Sequence, residues 1–332
     1  MRLKATSAFV AIIATASIAS AVRAQGIDYA KTFFTTQKLA PNVYVLTGSA
    51  GTDAGHPEGA GGRIGVLVGP EGVLMVDASY APLSDKIVEA IRKIGPAPIR
   101  YLVDTHFHPD HTGGNPNFAR MGAVILAREE TWQLMSQPQP AAVLAAVLAA
   151  VGTAASFTDP ARLPTVTYGM GSPVKIRIDG EVVDLIPVRA AHTGGDTVVR
   201  FENADVMMIG DFYRNYGYPF IDAPHGGTFK GVVEALDAVD KLAGPNTKLV
   251  PGHGTIISRA DLAAYRAMIV SVEARVQGMI DQGKSVQEVL AAKVTAPYDA
   301  GVHGGLDPLP AGFGTSADRF VSAVYAELKG AK

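Results

Sequence analysis

The spacing of apolar residues changes period repeatedly along the chain, and each change predicts an element. Residues 43–46, 63–68 and 73–76 are short runs rich in β-branched side chains with glycine and proline between them, the signature of a strand meander. From Ser84 the spacing widens: Ile87, Ile91 and Ile94 fall on one helical face, and Gly95-Pro96 ends the pattern. A strand follows at 99–103, another at 123–126, and a helix at 128–136. After Pro164 four more strands are expected, at 173–178, 181–188, 197–201 and 206–209. Helical spacing then dominates over 231–242, 260–282 and 316–328. No composition break or long-period repeat divides this succession, so residues 25–332 are read as one domain.

Two segments stand outside the alternation. Arg2 and Lys4 precede AFVAIIATASIASAV, and Val22 and Ala24 fit the −3 and −1 positions of a cleavage site. Residues 1–24 therefore read as a signal peptide; an uncleaved anchor is the competing reading, disfavoured by the shortness of the apolar run. Export would leave the mature protein periplasmic or secreted, with no membrane contact after cleavage. The second segment, AAVLAAVLAAVGTAA at 141–155, is strongly helical by propensity and reads either as a core or interface element or as a lid.

Composition narrows the classes. A chain of 332 residues that is 48% hydrophobic can bury a substantial core. Its net charge of −2, with no basic run interleaved with aromatics, speaks against a nucleic-acid partner and leaves a small-molecule substrate as the expected one. The chain has no cysteine, so neither a disulfide nor a thiolate metal ligand is available. Nothing in these quantities specifies an oligomeric state.

Candidate chemistry begins where the strand at 99–103 ends, in THFHPDHTGG. His106 and His108 alternate on an extended segment and so can point toward one ion. Asp110 and His111 follow the turn at Pro109, and their different reach suggests a second ion beside the first. A lone histidine is usually structural, but four such side chains within six residues form a ligand cluster rather than a solvated loop. Three further donors stand where predicted strands end. His192 lies in AAHTGGD, Asp211 ends the apolar strand VMMIGD, and His253 sits between glycines in KLVPGHG. A carboxylate closing a buried strand needs something positive to neutralise it.

Together HFHPDH, AHTGGD, the GD at Asp211 and PGHG resemble the motif series of the metallo-β-lactamase superfamily, from Val43 to Ile257. The resemblance implies an α+β fold, a four-layer αββα sandwich of two mixed sheets, with C-terminal helices added and a metal site at one edge. It implies two Zn²⁺ per chain: His106, His108 and His192 on the first, Asp110, His111 and His253 on the second, and Asp211 bridging both. The His/Asp set also accepts iron or manganese. Two zinc ions sharing a water bring its pKa to about 7, leaving a bridging hydroxide as nucleophile, which Asp110 would orient. Asp110 and Asp211 are thus the candidate catalytic residues. Bridging by aspartate resembles glyoxalase II-like branches, and the branch of β-lactamases with cysteine at that place is excluded.

The resemblance also points to Asp77, at the end of VLMVD, as a brace for the metal-ligand loop, with helix capping near Ser79 and Ser84 as the bland reading. Arg214, three residues after Asp211, is a candidate for a substrate carboxylate, against an ordinary surface salt bridge. Tyr213, Tyr216 and Tyr218 are weaker candidates for the same wall. The loop at 51–62 is expected to overhang the metals, with His56 as a possible substrate contact and His225 and His303 as solvated histidines. The expected activity is an exported dinuclear zinc hydrolase opening a β-lactam or lactone. A glyoxalase II-like thioesterase is the alternative, and an iron-binding oxidoreductase module of the same fold is a third, non-hydrolytic reading.

Overall fold

The computed structural model describes residues 29–49, 61–139, 141, 144–145, 155–171, 174–309 and 314–330. The signal segment 1–24, His56 and most of the alanine-rich stretch 141–155 lie outside the described residues.

Twelve strands, among the described residues, form two mixed sheets. The first has seven strands in sequence order: β1 (Phe34–Lys38), β2 (Val43–Gly48), β3 (Ile64–Gly69), β4 (Gly72–Val76), β5 (Ile99–Val103), β6 (Val124–Arg128) and β7 (Val166–Tyr168). β1 to β4 pair antiparallel; β4 to β7 run parallel. The second sheet is ordered β12-β11-β10-β9-β8, from β8 (Val174–Ile178), β9 (Glu181–Pro187), β10 (Thr197–Phe201), β11 (Val206–Gly210) and β12 (Lys248–Pro251). Only β11 and β12 pair parallel there.

The two-residue period of a strand sends neighbours to opposite faces, and both faces of each sheet are covered. Val45, Leu67, Leu74 and Val103 meet Val183, Leu185, Val199 and Met208 between the sheets. Their chain neighbours Leu46, Val66, Met75 and Leu102 face outward beneath α1 (Ser84–Ile94) and α3 (Asn115–Arg120), against Ile87, Ile91 and Phe118. Val198, Met207 and Leu249 do the same on the other side, under α6 (Phe229–Leu242), α7 (Arg259–Asp281) and α9 (Ser316–Gly330). The result is the four-layer αββα sandwich with helices at its C-terminal end. Of the remaining helices, α2 (Pro109–Thr112), α4 (Glu129–Ser136), α5 (Ala155–Thr158) and α8 (Val286–Ala291), α2 carries ligands of the site. No helix of the described residues is long and apolar enough to cross a membrane.

Candidate metal centre

β4 and β5 are parallel neighbours with Val76 opposite Val103, so Asp77 and the segment from Asp104 onward leave the same sheet edge. β11 and β12 do likewise in the second sheet, delivering Asp211 and His253, while His192 lies in the turn between β9 and β10. Two backbone bonds close the seam between the sheets here: Thr197 N donates to Thr105 O at 2.8 Å and Arg63 N to Gly252 O at 2.8 Å.

All seven sequence-predicted ligands converge at this seam. Three groups have donor atoms within 4.8 Å of one another: His106, His108 and His192; His106, His111 and Asp211; Asp110, His111 and His253. His192 Nε2 faces His108 Nδ1 at 3.0 Å, and His253 Nε2 faces Asp110 Oδ2 at 2.9 Å. His111 and His192 are wholly buried, whereas Asp110 and His253, each 19% exposed, and His108, 15% exposed, mark the opening.

Charge in the cluster suits a cation. Burial, and after it the charge of His111, holds the His106 imidazole well below its ordinary range, and burial with His108 takes His192 down to about 3. Both rings are therefore neutral and carry a free lone pair. Burial pushes the Asp211 carboxyl up, but His253 and His111 outweigh it and keep it ionised; His111 and His253 do the same for Asp110. For His111 burial works downward and is overcome by Asp211, Asp110 and Asp77, which raise it well above the usual histidine value. Meanwhile His106 Nε2, His111 Nε2 and Asp211 Oδ1 are buried without a hydrogen-bond partner. Buried polar atoms are rarely left so, and three aimed into one space fit a metal.

The other nitrogen of each buried ring is held. Asp77, itself 1% exposed, accepts from Thr105 N through Oδ1 at 2.7 Å, and through Oδ2 from Thr105 Oγ1 at 2.8 Å and His111 Nδ1 at 2.8 Å. Thr105 Oγ1 lies 3.1 Å from His106 Nδ1, and His192 Nδ1 donates to Phe220 O at 2.6 Å. Such bonds fix which nitrogen is free to bind metal. Glycine makes room where backbone passes the rings: a Cβ at Gly62 would lie 2.2 Å from His111 Cε1, and one at Gly252 2.1 Å from Asp211 Oδ1.

Sequence reasoning missed one of these braces. Asp222 Oδ2 accepts from His108 Nε2 at 2.9 Å and from His225 Nδ1 at 2.7 Å, so His225 is part of the site's support rather than a solvated residue. His303, by contrast, is exposed as expected, with its ring edge-on to Tyr216 at 5.4 Å between centroids.

The tyrosine wall also needs correcting. Tyr213 is buried against Tyr265, and Tyr218 bonds Asp299, so these two pack under the C-terminal helices, while Tyr216 is buried against the 303–307 loop and bonds Asp307. Arg214 is half-buried and makes no ion pair among the described residues.

The model of the Lactamase_B family, the metallo-beta-lactamase superfamily, matches residues 59–253, which hold every one of these ligands. The chain belongs to that superfamily. Members of the metallo-beta-lactamase superfamily are mostly metal-dependent hydrolases. The chain is similar in structure to a metallo-beta-lactamase from Pontibacter korlensis (TM-score 0.54, 17% identity, 70% of this chain and 99% of that one) and to DIM-1 metallo-beta-lactamase (0.53, 17%, 71% and 96%). At that identity the likeness is one of fold. By sequence it is 26% identical over 147 residues to 2,4-dinitroanisole O-demethylase subunit alpha of Nocardioides sp. (strain JS1661), covering 44% of this chain. It is 36% identical over 72 residues to linear primary-alkylsulfatase of Pseudomonas sp. (strain ATCC 19151), covering 20% of this chain. The matched segments span 39% and 14% of those two relatives.

Proposed function

We propose that the protein is an exported, zinc-dependent hydrolase that opens an ester or amide bond, with β-lactams and lactones as the leading substrates. The observation that carries this reading is the placement of Asp211. Its Oδ1 lies 3.5 Å from His111 Nε2, while its Oδ2 lies 3.4 Å from His253 Nε2 and 3.9 Å from His192 Nε2. One carboxylate thus reaches both donor sets, which supports two ions with Asp211 between them.

When bound by these seven residues, a pair of divalent ions supplies an acidified water and Lewis-acid polarisation of the scissile bond. The chain's own groups set the stage for that chemistry. Asp110 is the most accessible carboxylate of the cluster and is held ionised, so its Oδ2 accepts a hydrogen bond from an entering water and orients it. His106 and His192 stay neutral, and Asp77, Asp222 and Phe220 O hold the rings at fixed angles. No serine or cysteine nucleophile is required. Export rests on the 1–24 segment, and is checked by N-terminal sequencing of the secreted form.

The match to an alkylsulfatase favours a second reading, cleavage of a sulfate monoester at the same centre. Native-purified protein assayed for metal and then against a β-lactam, a lactone, a thioester and an alkyl sulfate separates the readings. Two zinc equivalents with turnover of the first two supports the proposal. Turnover of the thioester or the sulfate alone moves the substrate class, and hydrolysis of none, with iron in the site, favours the oxidoreductase reading.

A further inference from the structure

The last helix, α9, lies outside the 59–253 family match, yet it grips the loop that braces one half of the metal centre. That loop runs from Asp211 to Thr228 and carries Phe220 O, which accepts from His192 Nδ1, and Asp222, which accepts from His108 Nε2. α9 meets it at several levels. Tyr218 N donates to Ser316 Oγ at 2.8 Å, and the Tyr218 ring stacks on Phe320 with centroids 5.9 Å apart. Glu327 accepts from Phe229 N and, at 3.0 Å, from Lys230 N, where the loop passes into α6. Between these contacts the Arg319 guanidinium carbon lies 4.2 Å from the centroid of the Phe220 ring.

Phe220 passes this contact on to two metal ligands. Its ring is near-parallel to His108, centroids 5.9 Å apart, and meets His192 at 5.3 Å and 69°. Arg319 forms no ion pair among the described residues, and its Nε is enclosed without a hydrogen-bond partner. An enclosed guanidinium ordinarily finds a carboxylate or carbonyl; here the face of Phe220 takes that place, and the attraction of a cation for an aromatic ring strengthens as water is excluded. Burial, then the charge of Arg214, draws Arg319 down to about 9, with Asp222 opposing, so it is still a cation at neutral pH. The same charge thus acts on both braces, on Phe220 by contact and on Asp222 through space.

We propose that Arg319 is a positioning residue for the ion held by His106, His108 and His192, acting through the Phe220 ring that it clamps. The inference rests on the two-ion reading of the centre and makes the C-terminal helix part of that ion's support. A looser Phe220 lets the His108 ring tilt and displaces the carbonyl that decides which His192 nitrogen is free for metal.

The test compares wild type with Arg319→Gln, Arg319→Met, Arg319→Lys and Phe220→Leu, each checked for thermal midpoint. Zn²⁺ affinity is read by competition with a chromophoric chelator in two backgrounds. His253→Ala leaves the His106, His108 and His192 set, and His108→Ala leaves the Asp110, His111 and His253 set. We expect Arg319→Gln and Arg319→Met to weaken Zn²⁺ at least tenfold in the first background and to stay within about threefold in the second. Phe220→Leu should reproduce that loss, and adding Arg319→Gln to it should cost nothing more, because both remove one contact. Arg319→Lys keeps a cation for the ring and should recover part of the loss. In the first background the visible spectrum of the Co²⁺ form should change with Arg319→Gln and move back with Arg319→Lys, which a purely structural role would not produce. Wild-type affinity in the glutamine and methionine variants, equal weakening in both backgrounds, losses at Arg319 and Phe220 that add in full, or a lysine variant no better than glutamine overturns the proposal. Either uncharged Arg319 variant serves if the other does not fold, and Phe220→Leu serves if neither does. Wild type that binds a single ion refutes the two-ion reading; Arg319 keeps its role if that ion still weakens in Arg319→Gln and loses it otherwise. None of these readouts needs turnover, so they stand apart from failure of the hydrolase reading.

Discussion

Asp77→Asn isolates what a buried brace contributes to the metal centre. Asparagine has nearly the same volume and tolerates the left-handed backbone found at this position, φ +62°, so the exchange strains nothing locally. Its carbonyl can still accept from Thr105 N, but an NH₂ group replaces the oxygen that accepted from Thr105 Oγ1 and His111 Nδ1. Two hydrogen bonds to a carboxylate are lost, each worth roughly 1.5–3 kcal/mol, so stability should fall by about 3 kcal/mol or more. The His111 ring is also left to move its proton to Nε2, the nitrogen that faces Asp110 and Asp211. Losing such a partner typically costs ~10–100-fold in metal affinity. We expect that loss mainly for the ion on the Asp110, His111 and His253 side, read by competition with a chromophoric chelator alongside urea unfolding. Wild-type affinity at both ions would refute the bracing argument. Equal weakening at both would mean that Asp77 acts through the Thr105 backbone and the whole loop.

Three further outcomes follow from the same geometry. Asp222→Ala should release His108 Nε2 and His225 Nδ1 together, since both donate to Asp222 Oδ2, weakening the ion on the His106, His108 and His192 side by about tenfold or more in the chelator assay while sparing the other. Gly252→Ala should lower metal content and activity sharply in protein whose circular dichroism is native, because the added methyl would meet Asp211 Oδ1 at 2.1 Å and His111 Cε1 at 2.7 Å; full metal occupancy would contradict the placement. Burial raises the Asp196 carboxyl to about 6, against hydrogen bonds from Thr193 and Ala191. The folded state then holds a proton that the unfolded chain releases near 4, so this stabilisation is complete below pH ~4 and is lost as pH rises through about 6. It amounts to about 3 kcal/mol, and wild type should lose that much relative to Asp196→Asn across the window in urea unfolding, whereas parallel pH profiles would refute it.

What the sequence made legible was whatever lay in short contiguous runs. β4 and β11, buried along their whole length, announce themselves as apolar runs followed by aspartate, and the ligands of 105–114 occupy one short stretch of chain, from the end of β5 into α2. β1 was not foreseen because FTTQK is a polar, mostly exposed strand, and β7 because it has only three residues. Asp222 was hidden for a different reason. It meets His108 across 114 residues of sequence, at no periodic spacing, and only the fold of the 211–228 loop brings them together. The tyrosines show the converse error: residue type predicts an apolar body with a polar tip, but not that the C-terminal helices would cover Tyr213 and Tyr218 entirely.

The division of donors between the sheets has its own consequence. His106, His108, Asp110 and His111 come from the edge of the first sheet, and His192, Asp211 and His253 from the second. Each donor group that includes His192, Asp211 or His253 therefore draws on both sheets, and the seam otherwise relies on packing and a few bonds such as Thr197 N to Thr105 O. Without a cation, His111 is driven toward its charged form because Asp211, Asp110 and Asp77 face it. A proton on one ring then stands in for part of the positive charge the cluster is built around, but it cannot draw donors from both sheets together as an ion does. Metal binding should consequently stabilise the sandwich as a whole, since a ligand that binds only the folded seam adds its binding free energy to folding.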